Sequence, residues 1–193
     1  FEQGAAAAHQ ARMGAPSQPR ARNVILFVGD GMGTPTVTAA RIRAGQLAGG
    51  SGEEHTLSFD RFPFTAFSRT YTVDHQVPDS AGTMTAIVSG VKTRSGVIGV
   101  NENVAVGDFT AVAGNSLASI LDVAESRGLA TGIVTTTRVT HGTPAALYAK
   151  SPDRQWEDDA DMAVNAQAAR DAGFPDIARQ LVEYAGGDGI EVV

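Results

Sequence analysis

The fold is indicated first by the segment Asn23-Val-Ile-Leu-Phe-Val-Gly-Asp-Gly-Met-Gly33. Residues 23–28 form a continuous apolar run that ends at Gly29, a pattern typical of a buried parallel strand. Thr34-Pro35 then offers an N-cap and a proline in the first turn of a helix, which we expect over residues 37–47. A strand that leads directly into a helix predicts the beginning of an α/β fold.

The remainder of the chain repeats this alternation. Apolar patterns predict further strands at 65–72, 130–136 and 190–193. They also predict a small-residue helix at 80–89 closed by Gly90, and an amphipathic helix that Ser116 caps and Gly128 ends. Further helices are predicted from Thr143-Pro144 onward, at 158–172 and at 177–185. The predicted fold class is therefore α/β, a layered sandwich with a mostly parallel central sheet.

Length and composition restrict the classes of protein that remain. The chain has 193 residues, a formal net charge of −6 and no cysteine. Disulfides and thiolate metal sites are excluded, and a general nucleic-acid or anionic-membrane surface is not indicated. Residues 1–22 lack both a hydrophobic period and the apolar core of a signal peptide, and we interpret them as an N-terminal arm. Residues 23–193 are then one portion of a single domain.

Asp30 stands between glycines immediately after the first predicted strand. A dinucleotide-binding fingerprint would need glycine at position 34, where the chain has threonine. A carboxylate at a strand end, between glycines that let the backbone fold closely, suits a hard or borderline cation. The alternative is a turn in which Asp30 caps the backbone.

Ser80 lies at the start of the second predicted helix, within Val77-Pro-Asp-Ser-Ala-Gly-Thr83. A serine there is commonly an N-cap, but it can also be a nucleophile in phosphoryl transfer, because backbone N–H groups point towards an incoming anion. Pro78 breaks the Gly-x-Ser-x-Gly elbow, and Gly90-Val-Lys-Thr93 does not fit a P-loop.

A third cluster, at 135–144, contains His141 and Thr143, and Arg154 follows it beside Trp156. A histidine and a hydroxyl two residues apart, in a loop after a predicted strand, can line a cation site, although a solvated loop histidine is the alternative. The planar guanidinium of Arg154 suits bidentate phosphate binding, whereas an ion pair with the acids that follow it, from Glu157 to Asp161, is the alternative.

In this order, these segments resemble the alkaline phosphatases, as the N-terminal part of a bacterial member with a histidine-type third metal site. The resemblance extends from about Arg22 to the last residue, and it rests on residues 23–33, 77–83, 90–93 and 130–150 together with the Arg154-Gln-Trp156 context. It implies a hydrolase of phosphate monoesters, with an alkaline phosphatase-like fold that is incomplete in this chain.

The resemblance also implies a role for each matching residue. Ser80 is similar to the nucleophile that forms a phosphoseryl intermediate, Asp79 to the acid that orients the arginine, and Arg154 to the clamp on two phosphate oxygens. Asp30 resembles the carboxylate that bridges a zinc and the magnesium, and Ser80 resembles a ligand of that zinc. The metal ligands further include Thr143, and His141 either directly or through water.

Two zinc ions and one magnesium ion are the implied cofactors, with phosphate monoesters and inorganic phosphate as partners. The family's remaining ligands come from its C-terminal half, so we expect activity to need a C-terminal remainder of the same protein. His9, His55 and His75 fall in no ligand motif. The resemblance further implies a periplasmic or secreted location, with any export signal already removed, and allows a homodimer.

Two alternatives stay open at this point. A phosphodiesterase of the same superfamily would share the fold, whereas the sulfatase motif Cys/Ser-x-Pro-x-Arg does not occur in the chain. The second alternative is a catalytically silent module that binds phosphate or metal.

Overall fold

The computed structural model describes residues 21–62 and 64–193, and these form two compact units, 21–69 and 70–193. The predicted N-terminal arm, residues 1–22, lies outside the described residues except for Ala21 and Arg22. That arm and the single catalytic domain over 23–193 stay predictions.

The first unit is built around helix α1, Thr34–Leu47, which a short 3-10 helix at Ser58–Arg61 follows. The N-cap of α1 is Gly33 and not Thr34 as predicted, because Thr34 already belongs to the helix. The Arg41 guanidinium donates hydrogen bonds to the carbonyls of Gly52 (3.0 Å) and Glu53. The loop after α1 is thereby held against the helix.

The strands predicted at 23–28 and 65–72 are not formed in the described part of the chain. Val24, Ile25 and Phe27 are exposed by 85, 79 and 90%. A strand exists only when a neighbouring strand satisfies its backbone N–H and C=O groups, and an apolar run alone cannot supply that neighbour. The parallel sheet therefore stays a prediction.

The second unit is rich in helices. A 3-10 helix covers Phe109–Ala111, and the α-helices are α2 (Ser80–Ser89), α3 (Val112–Asn115), α4 (Ile120–Glu125), α5 (Gly142–Ala145), α6 (Asp159–Asn165), α7 (Gln167–Asp171) and α8 (Ile177–Val182). Helix α2 has the predicted bounds, and Gly90 closes it with a φ of +75°, which glycine adopts without strain.

The strands predicted at 130–136 and 190–193 are reduced to a single parallel bridge between Gly132 and Val192. Ile133 N–H donates to the Val192 carbonyl at 2.8 Å, and Glu191 N–H donates to the Thr131 carbonyl at 3.1 Å. The two segments thus pair in the predicted parallel sense. The pairing is too short to make a strand.

Several predicted helix limits were wrong. Ser116 ends α3, and the N-cap of α4 is Ser119, whose hydroxyl accepts from Asp122 N–H while the Asp122 carboxylate accepts from Ser119 N–H. The predicted helix 158–172 divides at Ala166, where φ is −145° and ψ is 39°. The helix predicted from Thr143-Pro144 begins at Gly142 with His141 as its N-cap, and α8 ends at Val182 rather than at 185.

The largest buried cluster joins α2 to α5 through Ala81, Met84, Val88 and Ala145. The approach is close, since a Cβ added to Gly142 would lie 3.0 Å from the Cβ of Ala81. Gly142 therefore lets the helix that carries Ser80 pack against the helix that His141 caps. Among the helices of residues 21–62 and 64–193, none is both long and apolar enough to cross a bilayer.

Candidate active site

The N-terminus of α2 presents Ser80 as the first residue of a ten-residue helix. Asp79 is the N-cap, and its Oδ1 accepts the Gly82 N–H at 3.0 Å. The Thr83 hydroxyl donates to the Asp79 carbonyl at 2.7 Å, so both polar ends of Asp79 are fixed to the helix. Ser80 itself is partly exposed. The Ser80 hydroxyl therefore lies at the helix N-terminus, where the helix dipole and the backbone N–H groups favour an anion.

The second carboxylate oxygen of Asp79 holds Arg154. Its Oδ2 accepts the Arg154 Nη1–H at 2.9 Å and the Gly96 N–H at 3.1 Å. The Arg154 N–H in turn donates to the Gly96 carbonyl at 2.8 Å. The two charged side chains are 20 and 21% exposed. Arg154 is therefore paired with an acid 75 residues away and not with the acids that follow it, so the alternative of a local ion pair is wrong.

His141 contacts the second terminal nitrogen of the Arg154 guanidinium. Its Nε2 lies 3.0 Å from Arg154 Nη2, and since a guanidinium only donates, Nε2 must accept. The Thr143 N–H approaches His141 Nδ1 at 3.5 Å. A neutral imidazole has one accepting nitrogen, so when Nε2 accepts from Arg154, Nδ1 carries the proton and cannot accept the Thr143 N–H as well. A cation that took the Nε2 lone pair would compete with Arg154.

Three residues to which the sequence gave no role, Arg138, Thr140 and Glu157, are linked to one another near His141. Glu157 accepts from Arg138 Nε at 2.8 Å and Nη2 at 2.6 Å, and from the Thr140 hydroxyl at 2.5 Å. The hydrogen bond from Arg138 lowers the pKa of Glu157, burial opposes this, and the hydrogen bond from Thr140 and the charge of Arg138 lower it further. Glu157 stands three residues after Arg154, but sequence spacing gives no sign of its partners.

The second unit thus brings together five of the six residues singled out from the sequence: Asp79, Ser80, His141, Thr143 and Arg154. Asp30 belongs to the first unit, in an exposed turn where Met32 N–H donates to the Gly29 carbonyl at 3.2 Å and Gly31 has a φ of +67°. A glycine at position 31 is needed for that left-handed conformation.

The donors near Arg154 suit divalent cations in chemical type, since they are an imidazole and the hydroxyls of Ser80 and Thr143. Within residues 21–62 and 64–193, however, no group of three or more His, Asp or Glu side chains is placed to hold a metal ion. These residues fit part of a metal site, and they do not form a whole one.

The profile of the alkaline phosphatase family matches residues 21–193. The chain belongs to the alkaline phosphatase family. It is 52% identical over 164 residues to an alkaline phosphatase of Gadus morhua, which covers 85% of this chain and 34% of that protein. It is 51% identical over 162 residues to the human tissue-nonspecific isozyme, covering 84% of this chain and 30% of the isozyme.

The crystal structure of a cold-active alkaline phosphatase from a psychrophilic Shewanella sp. superposes with a TM-score of 0.55 at 34% identity. The match covers 70% of this chain and 31% of that enzyme. The chain therefore spans about a third of the length of the alkaline phosphatases it matches. The likeness confirms the family and supports the alkaline phosphatase-like fold predicted from the motifs.

Proposed function

We propose that the protein containing this chain hydrolyses phosphate monoesters through a phosphoserine at Ser80. The observation that carries the proposal is the 2.9 Å ion pair between Arg154 and Asp79, the residue that caps the helix beginning at Ser80. In this proposal Arg154 is the anion-binding group, and its pairing with Asp79 ties it to the residue that precedes the Ser80 hydroxyl. Phosphoryl transfer needs this combination, because catalysis there consists mainly of positioning and charge neutralisation.

Each residue of the cluster has a distinct task in this proposal. Ser80 attacks phosphorus, the leaving alcohol departs, and water later releases phosphate from the serine. Arg154 binds two non-bridging oxygens of the phosphoryl group, an arrangement that its planar fork favours over lysine. Asp79 acts through Arg154: by engaging one nitrogen of the guanidinium, it limits the orientations that the fork can take.

We further propose two zinc ions and one magnesium ion as cofactors, with Asp30, Ser80, Thr143 and His141 among their ligands. When bound, such cations supply positive charge that lowers the pKa of hydroxyl groups and offsets charge on phosphoryl oxygens. His141 would then serve its metal directly or through water. The chain spans about a third of the length of the alkaline phosphatases it matches, and we propose that the remaining ligands lie in a C-terminal remainder of the protein on which activity depends.

Because the net charge of the chain is −6, its anionic substrate has to be attracted by local positive groups in spite of the overall charge. We propose inorganic phosphate as product and competitive ligand, a periplasmic or secreted location, and a homodimeric assembly, all by analogy with the family. A superfamily phosphodiesterase is the second candidate.

The test compares a chromogenic phosphate monoester with the matching diester, using the full-length protein supplied with zinc and magnesium. We expect the monoester to be strongly preferred and Ser80→Ala to lose several orders of magnitude in rate. Ser89→Ala is the matched control, because that hydroxyl lies at the other end of α2 and bonds the Thr85 carbonyl. Preference for the diester would support the second candidate, and phosphate binding without turnover would support a silent module.

A further inference from the structure

Glu157 makes three side-chain hydrogen bonds to one loop. Its carboxylate accepts from Arg138 Nε at 2.8 Å and from Arg138 Nη2 at 2.6 Å. The third donor is the Thr140 hydroxyl. The Glu157 side chain is only 15% exposed, whereas that of Arg138 is 68% exposed. A largely buried carboxylate with three donors is held far more firmly than an ordinary surface ion pair.

These contacts join the same two segments that meet at the candidate active site. At one end Arg154 contacts His141, and at the other end Glu157 contacts Arg138 and Thr140. Residues 154–157 and 138–141 therefore run past each other in opposite directions, with side chains linking them at both ends. The link through Glu157 contains none of the residues that we expect to touch phosphate.

The segment 154–157 is anchored elsewhere in the second unit. Trp156, beside Glu157, is 2% exposed, its carbonyl accepts the Ile177 N–H at 2.9 Å, and the Glu157 carbonyl accepts the Ala178 N–H at 3.0 Å. The loop has a tie of its own, since the Tyr148 hydroxyl donates to the Val139 carbonyl at 2.8 Å. Glu157 adds a further link, which joins the anchored segment to the loop that ends in His141.

We infer that Glu157 is a positioning residue that, through Arg138 and Thr140, sets the place of His141 relative to the phosphate-binding Arg154. The inference rests on the proposed function, because it assigns Glu157 to the geometry of that same site. Loss of the Glu157 charge should leave the buried core intact and let the loop move. Arg154 would then lose its fixed neighbour, and phosphate would bind less tightly.

The test uses the full-length metal-loaded protein with Glu157→Gln, which keeps the shape of the side chain and removes its charge. Glu183→Gln is the matched control, since Glu183 also pairs with an arginine, Arg179, at 2.8 Å, and both of these side chains are more than half exposed. The measurements are the dissociation constant of inorganic phosphate by calorimetry, amide hydrogen exchange over residues 137–143, and the melting temperature. Arg138→Gln and the double variant complete a cycle.

For Glu157→Gln we expect phosphate to bind about 3- to 30-fold more weakly, the range typical of residues coupled in one network, with faster exchange at 137–143. Arg138→Gln should act in the same direction, and the double variant should add little. Glu183→Gln should change neither quantity. If Glu157→Gln fails to fold, Arg138→Gln decides the question alone, because that side chain is mostly exposed.

Unchanged phosphate affinity in Glu157→Gln or Arg138→Gln, with only a lower melting temperature, would make the pair merely structural and overturn the inference. Fully additive effects in the cycle would overturn it as well. In both cases the parent protein still hydrolyses the monoester, so the proposed function survives. A parent that binds no phosphate and hydrolyses no monoester refutes the proposed function and the inference with it.

Discussion

The Asp79 carboxylate accepts three hydrogen bonds. The loss of free energy of unfolding when it is removed can therefore be estimated from these three contacts. Asp79→Ala deletes the cap on Gly82 N–H, the acceptor for Gly96 N–H and the partner of Arg154. A lost cap costs about 1 kcal/mol, and each of the other two contacts contributes about 1 kcal/mol at this partial exposure. We therefore expect the free energy of unfolding to fall by about 3 kcal/mol in total.

Two further variants separate these contributions. Asp79→Asn keeps an oxygen for Gly82 but turns an amide N–H₂ towards two donors, so it should cost about 2 kcal/mol. Asp176→Ala is the control, because Asp176 caps α8 by one bond to Arg179 N–H at 2.6 Å, and it should cost about 1 kcal/mol. Urea unfolding of the metal-free full-length protein measures all three. If Asp79→Ala were no more destabilising than Asp176→Ala, the contacts to Gly96 and Arg154 would contribute nothing and the reasoning would fail.

Two other variants test separate parts of the site, and a third tests a structural carboxylate outside it. Arg154→Lys should weaken inhibition by inorganic phosphate by about 1–3 kcal/mol, because lysine cannot form the fork; unchanged inhibition would contradict the role. His141→Asp should alter the magnesium dependence of activity, since carboxylate suits magnesium better than imidazole does, and an identical magnesium response would count against a metal role. Burial raises the pKa of Asp122, but Ser119 N–H, Lys150 and the Tyr184 hydroxyl lower it below its ordinary 3.8. The resulting stabilisation is present above that ordinary value and is lost as the pH falls through the lower, folded-state pKa. Asp122→Asn should therefore flatten the pH dependence of unfolding below about pH 4, and an unchanged acid limb would refute this assignment.

Local sequence correctly predicted both ends of one helix. Helix α2 has the expected limits because a run of small helix-compatible residues ends at Gly90. Glycine, which has no Cβ, adopts the left-handed conformation there without strain. The N-cap of α4 was wrong, yet its signal was present: Ser119-Ile-Leu-Asp122 is a capping box, and it should have been preferred to Ser116.

Features that depend on distant partners could not be predicted from local pattern. The apolar run 23–28 suits a strand, but only a neighbouring strand can satisfy its backbone groups, and no apolar period reveals one. Likewise, nothing near Arg154 in the sequence indicates that it pairs with Asp79 or that Glu157 holds Arg138. The resemblance to the family indicated the pairing of Arg154 with Asp79. The contact between Glu157 and Arg138 became apparent only from the structure.

The most direct test of the central claim is to trap the phosphoenzyme. Full-length protein turning over a radiolabelled phosphate monoester is quenched in acid, digested and mapped by mass spectrometry, with Ser80→Ala and Ser89→Ala in parallel. The account predicts stoichiometric label on the peptide that contains Ser80, label retained in Ser89→Ala and no label in Ser80→Ala. Label on a different residue, or rapid turnover without any labelled peptide, would contradict it.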